Sequence, residues 1–369
     1  PSDRDVIPEA RTTSIGPRTK EYFMKRNPIA LGIVLVVGLV MAIGSLVISL
    51  PAKTQGVDNL TTDFRPAFRS AALAQSRQDM DTVKAMAAEL DAKAIPALAA
   101  QFHTTPDQFR ASLASGFPAV GAGMRQLPTI LPYFDGVVGG LQAQAGNFHL
   151  ADAIPAKPFP ATFVTYLFLL PGLALAGAAA LGLVRPARFR NVALGVAAVV
   201  GAVLIVAPLA LSVPKKTQAV DGVTNAFRPV FSAEGARTTR AYMDTVQSMA
   251  DELTGKALPA LAAQLKVTPD QLGQSLAANF PAVAIGVSQL GTVLPRFQAL
   301  VSGVEQNTAN FRLADSIPTA STPTTLLHWL FVIPAFVLVI SGGAGLLAGR
   351  RVGTRTPAVD YDVLARSST

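Results

Sequence analysis

The chain of 369 residues is half apolar and 15% charged, where a soluble domain carries about 25% charged residues. With a mean hydropathy of +0.39, that excludes a disordered chain, a coiled-coil rod and most soluble enzymes. The formal charge is +8 and cysteine is absent, which removes disulfides, thiolate nucleophiles and Cys-ligated metal centres.

The first 27 residues hold six basic ones, with Lys25 and Arg26 directly before an apolar stretch at 28–50. A membrane-spanning helix needs about 20 predominantly apolar residues. This stretch is too long for a signal-peptide core of about 7–15 residues, and its exit, Ser49-Leu50-Pro51-Ala52, makes a poor cleavage site. A retained signal anchor is expected. Residues 51–160 are alanine-rich and lack the alternating β-branched runs of strands. Met80, Val83, Ala87 and Leu90 recur at helical spacing. Thr105-Pro106-Asp107-Gln108 has the makings of a helix start. Threonine caps, proline suits the first helical position, aspartate meets the positive end, and glutamine closes a capping box. A further helix is predicted from Ala119 to Gln144, with Leu127, Leu131, Phe134, Val138 and Leu141 on one side. Pro128 and Pro132 are expected to bend or interrupt it.

A second span is predicted at 161–184, then a basic loop at 185–190 with Arg185, Arg188 and Arg190, and a third span at 191–213. The second long segment, 214–323, leads to a fourth span at 324–348 and a tail at 349–369 that opens with Arg350-Arg351. None of the four spans contains Asp, Glu, Lys or Arg. Cytoplasmic segments near spans collect Lys and Arg, which predicts a multi-pass plasma-membrane protein with both termini cytoplasmic and both long segments outside. The tail 1–27, the loop and the tail 349–369 carry +2, +3 and +2. The basic balance is therefore a topology signal, and no nucleic-acid partner is expected.

A shift of 163 residues superimposes the two halves without a gap. Lys53-Thr54-Gln55 falls on Lys216-Thr217-Gln218, and Phe64-Arg65-Pro66 on Phe227-Arg228-Pro229. Met80-Asp81-Thr82-Val83 falls on Met243-Asp244-Thr245-Val246, Phe117-Pro118-Ala119-Val120 on Phe280-Pro281-Ala282-Val283, and Pro171 on Pro334. Roughly half of the positions in the long segments are identical. The predicted fold is an all-α polytopic membrane protein with four transmembrane helices and two duplicated helical extracytoplasmic domains, each with one core. A pseudo-two-fold axis along the membrane normal would relate them, as in parallel repeats.

Chemistry is sparse. His103 and His149 meet Lys266 and Arg312 in the second copy, and neither replaces imidazole as a zinc ligand. His328 is expected at the membrane interface beside Trp329. Asp79 and Asp81 lie two apart on a helix and point away from each other. No phosphate loop, nucleophile elbow or His-Glu-x-x-His occurs, so no enzyme activity, metal or cofactor is expected. The Phe-Arg-Pro and Phe-Pro-Ala-Val elements read as helix boundaries with buried phenylalanine. The Glu89/Lys93 and Glu252/Lys256 pairs read as ion pairs within helices, four apart in the favourable order. Small residues at four-residue spacing, Gly172, Ala176 and Ala180 in one span and Ser341, Gly345 and Gly349 in another, let helices approach closely. They either pack the spans together or dock a partner's helices. The stretch Ser70–Gln78 differs almost everywhere from Ala233–Ala241, which marks Arg237 as a candidate partner contact.

The pattern Asp-Thr-Val-x-x-Met-Ala, Pro-Ala-Leu-Ala-Ala-Gln, Thr-Pro-Asp-Gln and Phe-Pro-Ala-Val resembles uncharacterised helical integral membrane proteins of actinobacteria, mycobacteria-like in their lysine-poor composition. The resemblance covers the spans and both long segments. It implies a cell-envelope setting and carries no activity or functional residue. The function expected is a non-enzymatic accessory or scaffold subunit of a larger envelope complex, with membrane lipids and other envelope membrane proteins as partners. The alternative is a lipid-binding or lipid-transport module whose apolar helices form a cleft for an acyl chain.

Overall fold

The computed structural model describes residues 18–154, 159–184, 187–317, 319, 322 and 326–353, and among them every regular element is helical. Predictions that fall on 1–17, on Arg185 or on 354–369 lie outside the described residues. The chain divides into two compact units.

One unit contains the described residues of Pro1–Ile48, Thr165–Leu211 and His328–Thr369. Its helices are α1 (Arg18–Val47), α7 (Phe163–Val184), α8 (Ala187–Ala210) and α14 (Leu327–Gly353). Four stretches, Pro28–Val47, Phe163–Val184, Phe189–Ala210 and His328–Leu347, are long and apolar enough to cross a membrane. The first and third stop short of the expected 50 and 213. Ser49 and Ser212, 163 residues apart, both take a left-handed backbone with φ 54°, and a left-handed residue breaks a right-handed helix. Glycines let backbones touch inside this unit. A Cβ on Gly38 of α1 would stand 2.7 Å from the Gly172 carbonyl oxygen and the Ala176 nitrogen of α7. The equivalent Gly201 of α8 would meet the Ala335 oxygen of α14 at 2.8 Å. Phe168 and Phe331, again 163 apart, bring their rings to 4.0 Å.

The second unit is Ser49–Val164 with Ser212–Leu327. Its first segment runs α2 (Leu50–Phe64), α3 (Ser70–Glu89), a π-helical turn (Leu90–Ala94), α4 (Ile95–Gln101), α5 (Pro106–Gly116) and α6 (Pro118–Ala151). The second segment repeats this order as α9 (Val213–Phe231), α10 (Ala233–Glu252), a π-helical turn (Leu253–Ala257), α11 (Leu258–Leu265), α12 (Pro269–Asn279) and α13 (Pro281–Asp315). Both predicted capping boxes are present, at Thr105 with Gln108 and at Thr268 with Gln271. Pro128 and Pro132 do not interrupt α6, which stays helical for 34 residues.

The expectation of separate domains at 51–160 and 214–323, each with one core, needs correction. The two segments form one compact unit around one shared core. Met80, Ile130, Phe134 and Val138 of the first segment pack with Met243, Leu290, Val293, Phe297 and Val301 of the second. Phe134 and Phe297 meet edge to face at 5.8 Å. The helices also trade partners. Gly56 of α2 lies against Leu313 of α13, and Gly222 of α9 lies against Asn147 of α6. A 34-residue helix is about 50 Å long, so its apolar stripe outruns the short helices of its own segment. The opposite segment covers the remainder.

Candidate functional site

The most heavily constrained polar groups sit at the ends of α6 and α13, and each is supplied by the opposite segment. The first N–H groups of a helix lack partners within it. At the start of α6, Glu252 Oε2 accepts from the Ala119 and Val120 N–H groups at 2.6 and 3.0 Å. At the start of α13, Glu89 Oε2 accepts from the Val283 N–H at 3.0 Å. Beyond the end of α13, Lys53 Nζ donates to the Ser316 carbonyl oxygen, and beyond the end of α6, Lys216 Nζ donates to that of Ala153, both at 2.9 Å. Acid at the positive end and base at the negative end complement the helix dipole. Each segment thus clamps the other's long helix at both ends.

Burial is the strongest influence on Glu89 and pushes its carboxyl up. The hydrogen bonds from Val283, Lys93 and Ala282, with the Lys93 charge, outweigh it and hold the group below the ordinary glutamate value. Burial lowers Lys53 and Lys216 below the ordinary lysine value. Within each segment, Arg65 reaches Asp152 at 2.6 Å and Arg228 reaches Asp315 at 2.7 Å, which raises both guanidinium groups further. The Phe-Arg-Pro element therefore closes α2 onto α6 and α9 onto α13. Phe-Pro-Ala-Val is the helix start that receives the foreign carboxylate. Phe117 and Phe280 are only partly buried, against the expectation.

Some crossing contacts differ between the copies, and the most deeply buried carboxylate among them is that of Asp79. Asp79, 2% exposed, pairs with Arg296 at 2.9 Å. The equivalent positions hold Tyr242 and Tyr133, whose rings meet edge to face at 5.2 Å. Thr239 already donates its hydroxyl to the Gly235 carbonyl, so the Tyr133 hydroxyl donates to Thr239. An ion pair on one side and an aromatic pair on the other fill the same place.

Inside the unit lie two apolar voids of about 60 Å³ each. Phe64, Phe68, Phe148, Phe227, Phe231 and Phe311 line one. Met80, Met86, Met243 and Met249 line the other, with Phe134 and Phe297. Such voids stay dry because water needs polar partners.

Gly172 and Ala176 lie in the α1–α7 contact, whose buried face on α7 continues through Leu175, Ala179 and Gly182. Ala180 points away and is exposed. Ser341 is buried and donates its hydroxyl to the Val337 carbonyl at 2.5 Å. Gly345 packs on Leu194. The surroundings of Gly349 lie outside the described residues. Arg237 is exposed on α10, with its Nε donating to the Ala233 carbonyl one turn back. His103 and Lys266 share a left-handed backbone at φ 53° and 55°, so that position is set by chain reversal and not by imidazole chemistry. His328 stacks on Trp329 at 4.7 Å. Among the described residues, no group of three His, Asp or Glu side chains is placed to hold a metal ion. The glutamate and lysine clamps escaped sequence reasoning. Their only signal was repetition of charge at equivalent positions, which surface ion pairs share. No family model, curated protein or solved structure matches the chain.

Proposed function

We propose that this is a non-enzymatic accessory or scaffold subunit of a larger cell-envelope membrane complex. In this reading it is a multi-pass plasma-membrane protein with both termini cytoplasmic and the clamped helical unit outside. The two span–segment–span copies are related by a pseudo-two-fold axis near the membrane normal. The observation that carries the proposal is the reciprocal clamp. Side chains that would serve a catalytic or transport site are instead spent at helix ends, giving a rigid body with a closed apolar core. Support for the two-fold comes from contacts that recur 163 residues apart: Arg65–Asp152 with Arg228–Asp315, and Lys53–Ser316 with Lys216–Ala153. A rigid body with polar outer faces and divergent patches such as the one around Arg237 suits the binding of envelope partners. The Gly172–Ala176 face is occupied by α1, so partner docking is assigned to the helical unit.

Purification of the full chain in mild detergent, followed by mass spectrometry, tests the proposal. Stoichiometric membrane-protein partners are expected, with their recovery reduced by Arg237→Ala. Recovery of the chain without any stoichiometric protein would refute it.

A further inference from the structure

The end clamps do not tell the two segments apart. Both acids are glutamate, both bases are lysine, and each glutamate meets the same Phe-Pro-Ala-Val helix start. The first segment of a second molecule would therefore be clamped as well as the second segment of the same chain. Selectivity between such partners needs groups that fit one and misfit the other. The crossing contacts at which the segments differ supply them.

One lies between α3 and α13. Asp79 accepts from Arg296 at 3.0 and 2.9 Å and from Gln75, one turn back on its own helix, at 2.8 Å. The residues 163 positions away are Tyr242 and Tyr133. If two first segments paired, Asp79 would meet Tyr133 of the second molecule. A phenol donates one hydrogen bond but brings no positive charge, and a buried carboxylate that loses its cation is costly. Two second segments would set Tyr242 against Arg296 and deprive the guanidinium of its carboxylate.

Another lies between α2 and α13. Asn307, 1% exposed, donates to Asp63 at 3.0 Å and to the Gly303 carbonyl at 3.1 Å, and accepts from Asn310 at 2.9 Å. Asn59 donates to Asn310 at 3.4 Å. Ala226 and Gly222 stand at the positions equivalent to Asp63 and Asn59. Two second segments would place Ala226 against Asn307 and remove an acceptor from it. Two first segments would place Asn59 where Gly222 now lies, and a Cβ there comes within 2.8 Å of the Asn147 Nδ2. Both like-with-like pairings are ill matched, and first with second is not.

We propose that Asp79, Arg296, Asp63 and Asn307 make the surface between the segments selective, so that a first segment accepts a second segment and rejects its own kind, including that of another molecule. This selectivity holds whether or not the chain serves as a scaffold. Cysteine pairs report it, because the native chain has none and a disulfide needs Cα atoms within about 7 Å. Asn59→Cys with Asn310→Cys marks first with second; Asn59→Cys with Asn147→Cys marks first with first. The full chain is expressed in membranes, taken into mild detergent, mildly oxidised and separated on a non-reducing gel. With no other change, the 59–310 disulfide should form within one molecule and the 59–147 disulfide only at background.

Asp63→Ala, Asp79→Tyr, Arg296→Tyr and Asn307→Gln together give both segments the same contact residues. The 59–147 disulfide should then rise about tenfold or more, the ratio that one ill-matched buried group imposes, and appear as a linked dimer. A 59–147 link within one molecule counts equally, since there too a first-segment helix meets its own kind. Arg296→Tyr alone, at a half-exposed position, should give a smaller rise. Moving the ion pair to the other side, by Asp79→Tyr, Arg296→Tyr, Tyr242→Asp and Tyr133→Arg, should restore the native pattern. The selectivity is refuted if the 59–147 disulfide stays at background in the equalised chain and in Arg296→Tyr, judged on whichever retains a cooperative melt. It is equally refuted if the chain with the relocated ion pair forms that disulfide as freely as the equalised one.

Discussion

Glu252 and Glu89 show how one side chain can join two halves of a molecule. Each stands four residues before a lysine, and each does contact it, at 3.7 Å for Lys256 and 3.2 Å for Lys93. The second carboxylate oxygen, however, serves the N–H groups of a helix that begins in the other segment. Removing an acceptor from buried donors costs about 1–3 kcal/mol. Glu252→Ala should therefore lose about that much in chemical denaturation, while Arg237→Ala, at an exposed site, should stay within about 0.5 kcal/mol. Equal losses would place Glu252 on the surface energetically. Glu89 also makes stability depend on pH. Its folded value lies below the unfolded one of about 4.3, so its contribution is complete above that pH and is lost as pH falls through the folded value. Thermal melts should show Tm declining below about pH 4.3, with a shallower decline for Glu89→Gln.

Among the elements, the long helices and the apolar helices obey different packing rules. In the apolar unit the α1–α7 contact is backbone on backbone, since Gly172 would direct a Cβ to within 2.8 Å of the Ala42 nitrogen and the Gly38 oxygen. Overpacking of this kind costs about 1–3 kcal/mol. Gly172→Ala should lower Tm in detergent, whereas Ala180→Leu, on the exposed side of the same helix, should not. In the helical unit large side chains fill the core. Phe297 is 8% exposed, so Phe297→Ala should cost about 3–5 kcal/mol. Phe280→Ala should cost less, because its ring is only partly buried against Met86, Ala94 and Val283.

For the whole molecule, the shared core makes the two segments one thermodynamic body. Met243, 2% exposed, packs with Ile130 and Phe134 of the other segment. Met243→Ala should destabilise by about 2–5 kcal/mol and raise amide hydrogen exchange in α6 together with α10. Protection of α6 left unchanged would mean two separate bodies. The proposed topology has its own check. On intact cells a membrane-impermeant thiol reagent should label a cysteine introduced at Ser115 or Ala278 and should not label one at Ala187. The native chain has no cysteine, so the assay has no background, and labelling at Ala187 with silence at the other two sites would reverse the orientation.

The apolar helices, the 163-residue repeat, the capping boxes at Thr105 and Thr268, and the helical course of both segments were all legible along the chain. All of these depend on local composition, spacing or self-similarity, which a linear text carries. It left open what Gly172 and Ala176 pack against, read Glu89 as half of an ion pair within its own helix, and gave Asp79 no partner. Tertiary contacts alone show that α2 packs on α13 and α9 on α6, and that Glu89 and Lys53 hold a helix more than 190 residues away. The reason is the repeat itself. Two near-identical segments present near-identical apolar stripes, so hydrophobic pattern cannot say whether a helix packs within its own copy or in the other. That choice follows from length, because α6 and α13 are too long for their own segment to cover, and from end groups that meet only once the copies have exchanged partners.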